Sequence, residues 1–164
     1  MTDIQFMRRA ATNAGNTRCW IGIGCVIAKE SKVLVEAWNE TMPGEPYCQS
    51  FRDRKKSAAK GQPLPNAGCI RHDLGLSQGQ EIEKVCSIHA EAAAIAKAAK
   101  IAISLDGASM FVTSFPCLIC IRTIIVAGIK KVVYMNDFYK PHDMELFEKN
   151  GIKIEQITED IVWS

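Results

Sequence analysis

Cys117 and Cys120 stand three residues apart in the run Pro116-Cys117-Leu118-Ile119-Cys120. That spacing puts two sulfurs on one face at the start of a helix. The positive end of such a helix lowers thiol pKa values and favours the thiolates that zinc binds. A redox pair or two plain core cysteines would show the same spacing, so the pair alone leaves three readings open. His89-Ala90-Glu91, at the start of another helical run upstream, is what separates them. One imidazole and two thiolates make three protein ligands and leave the fourth tetrahedral position to water, the mark of a catalytic rather than a structural zinc. Water in that position is acidic enough to serve as hydroxide near neutral pH. Glu91, two residues from the imidazole, is the group to take a proton from that water and pass protons on to a departing nitrogen. Taken alone, a His followed by a Glu in an Ala-rich helix is equally an ordinary solvated first turn with its carboxylate near the helix dipole.

These side chains meet only if the intervening chain brings two helix starts together. Ile4, Met7, Ala10, Ala11 and Ala14 recur at helical spacing, predicting a helix over 3–13 that Asn13, Gly15 and Asn16 end. Ile21 to Ala28 and Lys32 to Trp38 read as two antiparallel strands around Lys29-Glu30-Ser31, closed by Pro43, Gly44 and Pro46. From about residue 50 to 86 periodicity is lost, and the stretch reads as an inserted loop region that still carries cysteines. His89 to Lys100 is dominated by alanine and reads as a helix, with its exit at Leu105-Asp106-Gly107. Strands over 108–114, 131–135 and 152–157 then alternate with helices over 117–127 and 141–150, each helix closed by a glycine, Gly128 and Gly151. Such alternation predicts an α/β fold: a mixed five-stranded sheet with parallel pairs and helices on both faces.

Bulk properties narrow the function further. With 164 residues, 48% hydrophobic and 23% charged, the chain reads as one compact domain over 1–164. Twenty basic and 18 acidic side chains leave a net charge of +2, too balanced for the positive field that tracks a large nucleic acid. No apolar run approaches the roughly 20 residues of a membrane helix, and the first residues lack a secretory layout, so a cytoplasmic protein without a membrane partner is expected. Seven cysteines, an odd number in a reducing compartment, point to metal ligation before disulfides.

His89-Ala90-Glu91 followed by Pro116-Cys117-Leu118-Ile119-Cys120 meets the H-x-E and P-C-x-x-C pattern of zinc-dependent base deaminases. The chain resembles the cytidine and deoxycytidylate deaminase superfamily, and within it the deoxycytidylate (dCMP) deaminases. The residues that carry the resemblance are Ser87 to Glu91, Thr113 to Cys120, Ala127 to Tyr134, Gly24 to Ile27 and Ala37 to Asn39. The stretch from Cys69 through Leu74-Gly75-Leu76-Ser77 to Cys86 also looks like the insertion of dCMP deaminases. The resemblance implies a three-layer α/β/α fold, one catalytic Zn2+ on His89, Cys117 and Cys120, Glu91 as proton shuttle, and conversion of dCMP to dUMP with release of ammonia. It implies a homo-oligomer. It also implies that Asn39 contacts the sugar hydroxyl, that the Ala90 backbone and the Ser114 region hold the cytosine edge, and that Phe115 or Tyr139 lines the pocket. Read without the resemblance, Asn39 is also an ordinary turn residue and Tyr139 a loop cover.

Two features depart from the family pattern. Ala37-Trp38-Asn39-Glu40 stands where the family usually has Gly-Tyr-Asn-Gly, and Trp20-Ile21 where many members carry arginines. Both fall where phosphate and regulatory nucleotide contacts are expected. Arg18, Arg52, Arg54 and Arg71 are candidate replacements or solvated surface residues. Cys19, Cys48, Cys69 and Cys86 bracket the insertion and could close a second, structural zinc site, with His72 as a substitute ligand. Buried free thiols are the alternative. Rival functions remain: deamination of another pyrimidine nucleoside, nucleotide or modified base, a non-catalytic zinc module, and a thiol redox protein.

Overall fold

The structure, a computed structural model, describes residues 1–19, 21–42, 74–76, 81, 86–137 and 144–164. The first helix, α1 (Asp3–Ala14), opens on a reciprocal cap. The Gln5 amide donates to the Thr2 hydroxyl at 3.3 Å, and the Thr2 amide donates to the Gln5 side chain at 2.9 Å. β1 (Gly24–Lys29) and β2 (Lys32–Trp38) form the expected hairpin. Its two-residue turn, Glu30-Ser31, has φ of 51° and 62°, the primed geometry that the strand twist favours, built here without glycine or asparagine.

A two-strand ribbon follows, β3 (Glu40–Thr41) with β4 (Ser87–Ile88), and leads into α2 (Ala90–Lys100). Then come β5 (Ser109–Ser114), α3 (Leu118–Val126), β6 (Lys131–Asn136), α4 (Met144–Lys149), β7 (Lys153–Gln156) and α5 (Glu159–Trp163). The main sheet has the order β2-β1-β5-β6-β7. β1 is antiparallel to both neighbours, whereas β5, β6 and β7 run parallel, so the sheet is mixed as the alternation predicts.

The period of two along the strands separates two cores. Cys25, Ile27, Met110, Val112 and Val132 pack against the alanine face of α2, against Ile121 and Ile124 of α3, and against Phe147 of α4. Val26, Phe111, Val133 and Met135 pack on the opposite face against Phe6, Met7 and Ala10 of α1 and Val162 of α5. Helices thus cover both faces. None among the described residues is long and apolar enough to cross a membrane.

α1 lies so close to the sheet that a Cβ on Gly24 would sit 1.9 Å from the Ala10 carbonyl oxygen. A Gly24→Ala variant must push α1 off β1, and we expect a loss of about 3 kcal/mol or more, read as a drop in the urea midpoint. A loss under about 1 kcal/mol would show that the contact is softer than the backbone geometry indicates.

Several expected boundaries move for physical reasons. The first strand begins at Gly24 rather than Ile21 because the Asn39 side chain replaces a strand ladder over Ile21–Ile23. α2, by contrast, ends at Lys100 as its alanine run predicts. Ala102 takes φ of 55° there, and the Ile103 amide turns back to the Ala98 carbonyl at 3.0 Å. α5 was not legible as an element, although Thr158 followed by Glu159 and Asp160 is a helix-start signal. Arg8 fastens it, donating to the Val162 carbonyl at 2.5 Å and to Ser164 at 2.9 Å. The inserted region over about 50–86 lies outside the described residues except for 74–76, 81 and 86, as do 141–143 of the helix expected over 141–150.

Candidate functional site

β4 delivers the chain to His89, the N-cap of α2, and β5 delivers it through Phe115 and Pro116 to Cys117, the N-cap of α3. Both cap residues are extended and neither side chain makes a helix-cap hydrogen bond, although the Cys117 sulfur is hydrogen-bonded to Cys120 in the first turn of α3. The two cap side chains turn toward each other instead. His89 Nδ1 lies 3.4 Å from Cys117 Sγ and 3.5 Å from Cys120 Sγ, and the three donor atoms all fall within 4.8 Å of one another. Among the described residues this is the only such group of three histidine, cysteine or acidic side chains.

The spacing fits zinc. Bonds of about 2.0 Å to imidazole and about 2.3 Å to thiolate at tetrahedral angles require nitrogen and sulfur about 3.5 Å apart. Acid–base chemistry points the same way. Hydrogen bonding from Cys120 and His89 brings the Cys117 thiol down to about 4, while its ionised neighbour, burial and Glu91 push Cys120 strongly upward. Two adjacent sulfurs of which only one ionises readily are a pair that a divalent cation would complete. The His89 imidazolium is favoured chiefly by its hydrogen bond to Cys117.

Glu91 is 4% exposed, and burial raises its carboxyl to about 6. It also shares a hydrogen bond with Cys120, so a proton-accepting group stands against the ligand set. A carboxyl poised near neutrality is what a group that both takes and gives a proton needs. Ala90, between the imidazole and this carboxyl, is fully buried.

The remaining expected site residues divide. Asn39 is buried with its amide in use: Oδ1 accepts from the Ile23 amide at 2.9 Å and Nδ2 donates to the Ile21 carbonyl at 2.7 Å. Thr17, which sequence reasoning missed, holds the Asn39 carbonyl through its hydroxyl. Ser114 is 3% exposed, and its hydroxyl has no hydrogen-bond partner among the described residues. Phe115 is buried, edge-on to Tyr134 at 5.1 Å and to Phe147 at 6.2 Å, and its amide donates to the Asn136 carbonyl at 2.8 Å. Tyr139, Cys48, Cys69, His72, Trp20, Arg52, Arg54 and Arg71 lie outside the described residues. Arg18 is exposed. Cys19 and Cys86 are half-buried, and the Ser87 hydroxyl reaches Cys19 Sγ at 3.8 Å, which brings the first of these thiols beside the residue that follows the second. Glu40, the unexpected acid, is ion-paired with Lys97, whose ammonium also sits over the Trp38 ring at 4.5 Å. Its charge is therefore answered within the chain, by a lysine 57 positions away that sequence reading had no means to pair with it.

Against known proteins, the family model described as the cytidine and deoxycytidylate deaminase zinc-binding region matches residues 1–136. ComE operon protein 2 of Bacillus subtilis is 29% identical over 141 residues, which cover 85% of this chain and 62% of that protein. The deoxycytidylate deaminase of Schizosaccharomyces pombe is 26% identical, and the match spans 43% of its length, so the chain corresponds to only part of these two relatives. The deoxycytidylate deaminase of Enterobacteria phage T4 is 42% identical over 152 residues, covering 83% of this chain and 79% of the phage protein. Among solved structures, the dCMP deaminase of cyanophage S-TIM5 in complex with dCMP and dUMP superposes with a TM-score of 0.66 at 24% identity, over 93% of this chain and 94% of that one, a likeness of fold. The order of the sheet, the two converging helix starts and the matched zinc-binding region agree, and the chain belongs to the cytidine and deoxycytidylate deaminase family.

Proposed function

We propose that this protein deaminates the cytosine base of dCMP, giving dUMP and ammonia. The observation that carries the reading is the buried Glu91 carboxyl standing against three converging donors, His89, Cys117 and Cys120. The 42% identity to a phage protein named deoxycytidylate deaminase supports dCMP over other cytosine compounds.

His89, Cys117 and Cys120 hold the metal. When bound, zinc supplies an acidified water as the nucleophile. Glu91 accepts a proton as water oxygen adds at C4 of the base, gives it to the ring nitrogen N3, and carries the second proton to the amino group. The C4–N bond then breaks, ammonia leaves, and C4 keeps the oxygen as a carbonyl. The Ala90 backbone and Ser114 hold the edge of the base, with Phe115 and Tyr139 along the pocket. Asn39 still has one N–H and one acceptor lone pair beyond the loop it braces, enough for a sugar hydroxyl.

Cys19, Cys48, Cys69 and Cys86 hold a second, structural zinc, which the approach of Ser87 to Cys19 supports. The protein works in the cytoplasm and as a homo-oligomer, the latter supported by exposed Leu118, Ile119 and Val126 along α3.

The test is ammonia release by zinc-loaded protein from dCMP, CMP, deoxycytidine and cytosine, each at several concentrations. The highest kcat/KM is expected with dCMP. Turnover of another member of the panel without dCMP would keep the chemistry and replace the substrate; no release from any of them would leave a non-catalytic zinc module.

A further inference from the structure

Thr17 is 5% exposed, and its one hydroxyl makes two bonds. It donates to the Asn39 carbonyl at 2.5 Å and accepts from the Cys19 amide at 3.0 Å. Its methyl carbon lies 3.3 Å from where a Cβ on Gly22 would stand, in the middle of the Ile21–Ile23 loop. Asn39 is held from every side. Its main-chain amide donates to the Ile23 carbonyl at 3.0 Å, and its side chain grips Ile21 and Ile23. Among these bonds, the one to the Asn39 carbonyl is the only one that another side chain makes.

The place of Asn39 gives that bond its weight. β3 and β4 pair Glu40 with Ile88 and Thr41 with Ser87, so the register continued by one position sets Asn39 opposite His89, the first metal-binding residue. The chain enters β3 directly from the Asn39 carbonyl, and the group that grips this carbonyl fixes where the strand departs. A second tie runs the same way: the Ser87 hydroxyl of β4 reaches Cys19 Sγ at 3.8 Å, on the residue whose amide Thr17 holds.

We infer that Thr17 is a positioning residue for the sugar of the substrate, its hydroxyl holding the Asn39 main chain so that the spare N–H and lone pair of the Asn39 amide meet the sugar hydroxyl of dCMP. The inference rests on the reading above in which Asn39 binds that hydroxyl. Serine can replace Thr17, because the same oxygen donates and accepts, whereas valine keeps the shape and does neither. Without the hydroxyl, the Asn39 carbonyl and the Cys19 amide both lose a buried partner. The sugar is remote from C4, so a displaced Asn39 weakens ground state and transition state alike, which raises KM and leaves kcat.

The experiment is steady-state kinetics of the zinc-loaded full chain with dCMP and with ddCMP, its analogue without the sugar hydroxyl. The parent should favour dCMP by about tenfold or more in kcat/KM. Thr17→Val should raise KM for dCMP about tenfold at nearly constant kcat and leave ddCMP unaffected. Thr17→Ser should bring KM back to within about threefold of the parent. Thr17→Ala carries the same expectation as Thr17→Val and takes its place if the valine does not fold. A parent preference for dCMP that survives loss of the Thr17 hydroxyl overturns the inference while the sugar contact stands. So does a loss shared equally by dCMP and ddCMP, which would make Thr17 a brace of the fold alone. A parent that does not distinguish the two compounds, or turns over neither, removes the sugar contact itself and the role of Thr17 with it.

Discussion

Glu91→Gln is expected to lower kcat for dCMP by about 10³-fold while one zinc per chain is retained and KM stays nearly constant, because proton transfer by a placed carboxyl contributes roughly 10²–10⁴ to such reactions. The amide keeps the shape and the bond to Cys120 but cannot take the proton. The same variant makes an opposite prediction for the fold. Burial holds Glu91 at about 6 in the folded, metal-free chain, against an ordinary carboxyl value of 4.5. Below 4.5 both folded and unfolded chains carry the proton, and burial costs nothing on this account. As the pH rises past 4.5 the unfolded chain ionises first, so folding loses up to about 2 kcal/mol by neutral pH. Metal-free Glu91→Gln should therefore be more stable than the parent at pH 7 and equal to it near pH 4, as read by urea unfolding at both pH values. A variant that keeps its activity would remove Glu91 from the reaction. One that is less stable at pH 7 would show instead that the carboxylate is structural.

Cys120→Ala should leave protein that loses its zinc on dialysis, with deamination lost in step. Removing even an outer partner of a metal ligand costs roughly 10–100-fold in affinity, and removing one of three direct donors costs more. His89 and Cys117 would remain 3.4 Å apart, two donors that cannot hold the ion against solvent. Added zinc should not restore turnover at the concentrations that saturate the parent. If Cys120→Ala keeps stoichiometric zinc through dialysis against a chelator, the metal is held elsewhere, and the assignment of all three ligands falls with it.

What the sequence disclosed follows the range of the forces involved. His-x-Glu and Cys-x-x-Cys were legible because each is a local pattern whose spacing is set by one helix start, and the sheet was legible because strands and helices alternate with clear punctuation. The partners of Asn39 and Glu40 were not. The loop at Ile21–Ile23 and the ammonium of Lys97 reach them through tertiary contacts, which leave no trace at neighbouring positions. The end of α2 at Lys100 was legible from its alanine run, whereas the left-handed backbone of Ala102 just beyond it was not, because that residue type disfavours it. The strands β3 and β4 are two residues each, below any length at which alternation can be seen. Phe115 was read from its motif alone, and its edge-on contacts with Tyr134 and Phe147 are tertiary and leave no local mark.

His89 and Cys117 begin their helices without capping them. A side chain that caps a helix start is worth about 1 kcal/mol, and α2 and α3 both forgo it so that the two donors can face each other. Both first turns are nevertheless closed by their backbone bonds, Ala93 to His89 and Ile121 to Cys117 at 2.9 Å each, so the donors stand in position before an ion arrives and its capture requires little ordering of the chain.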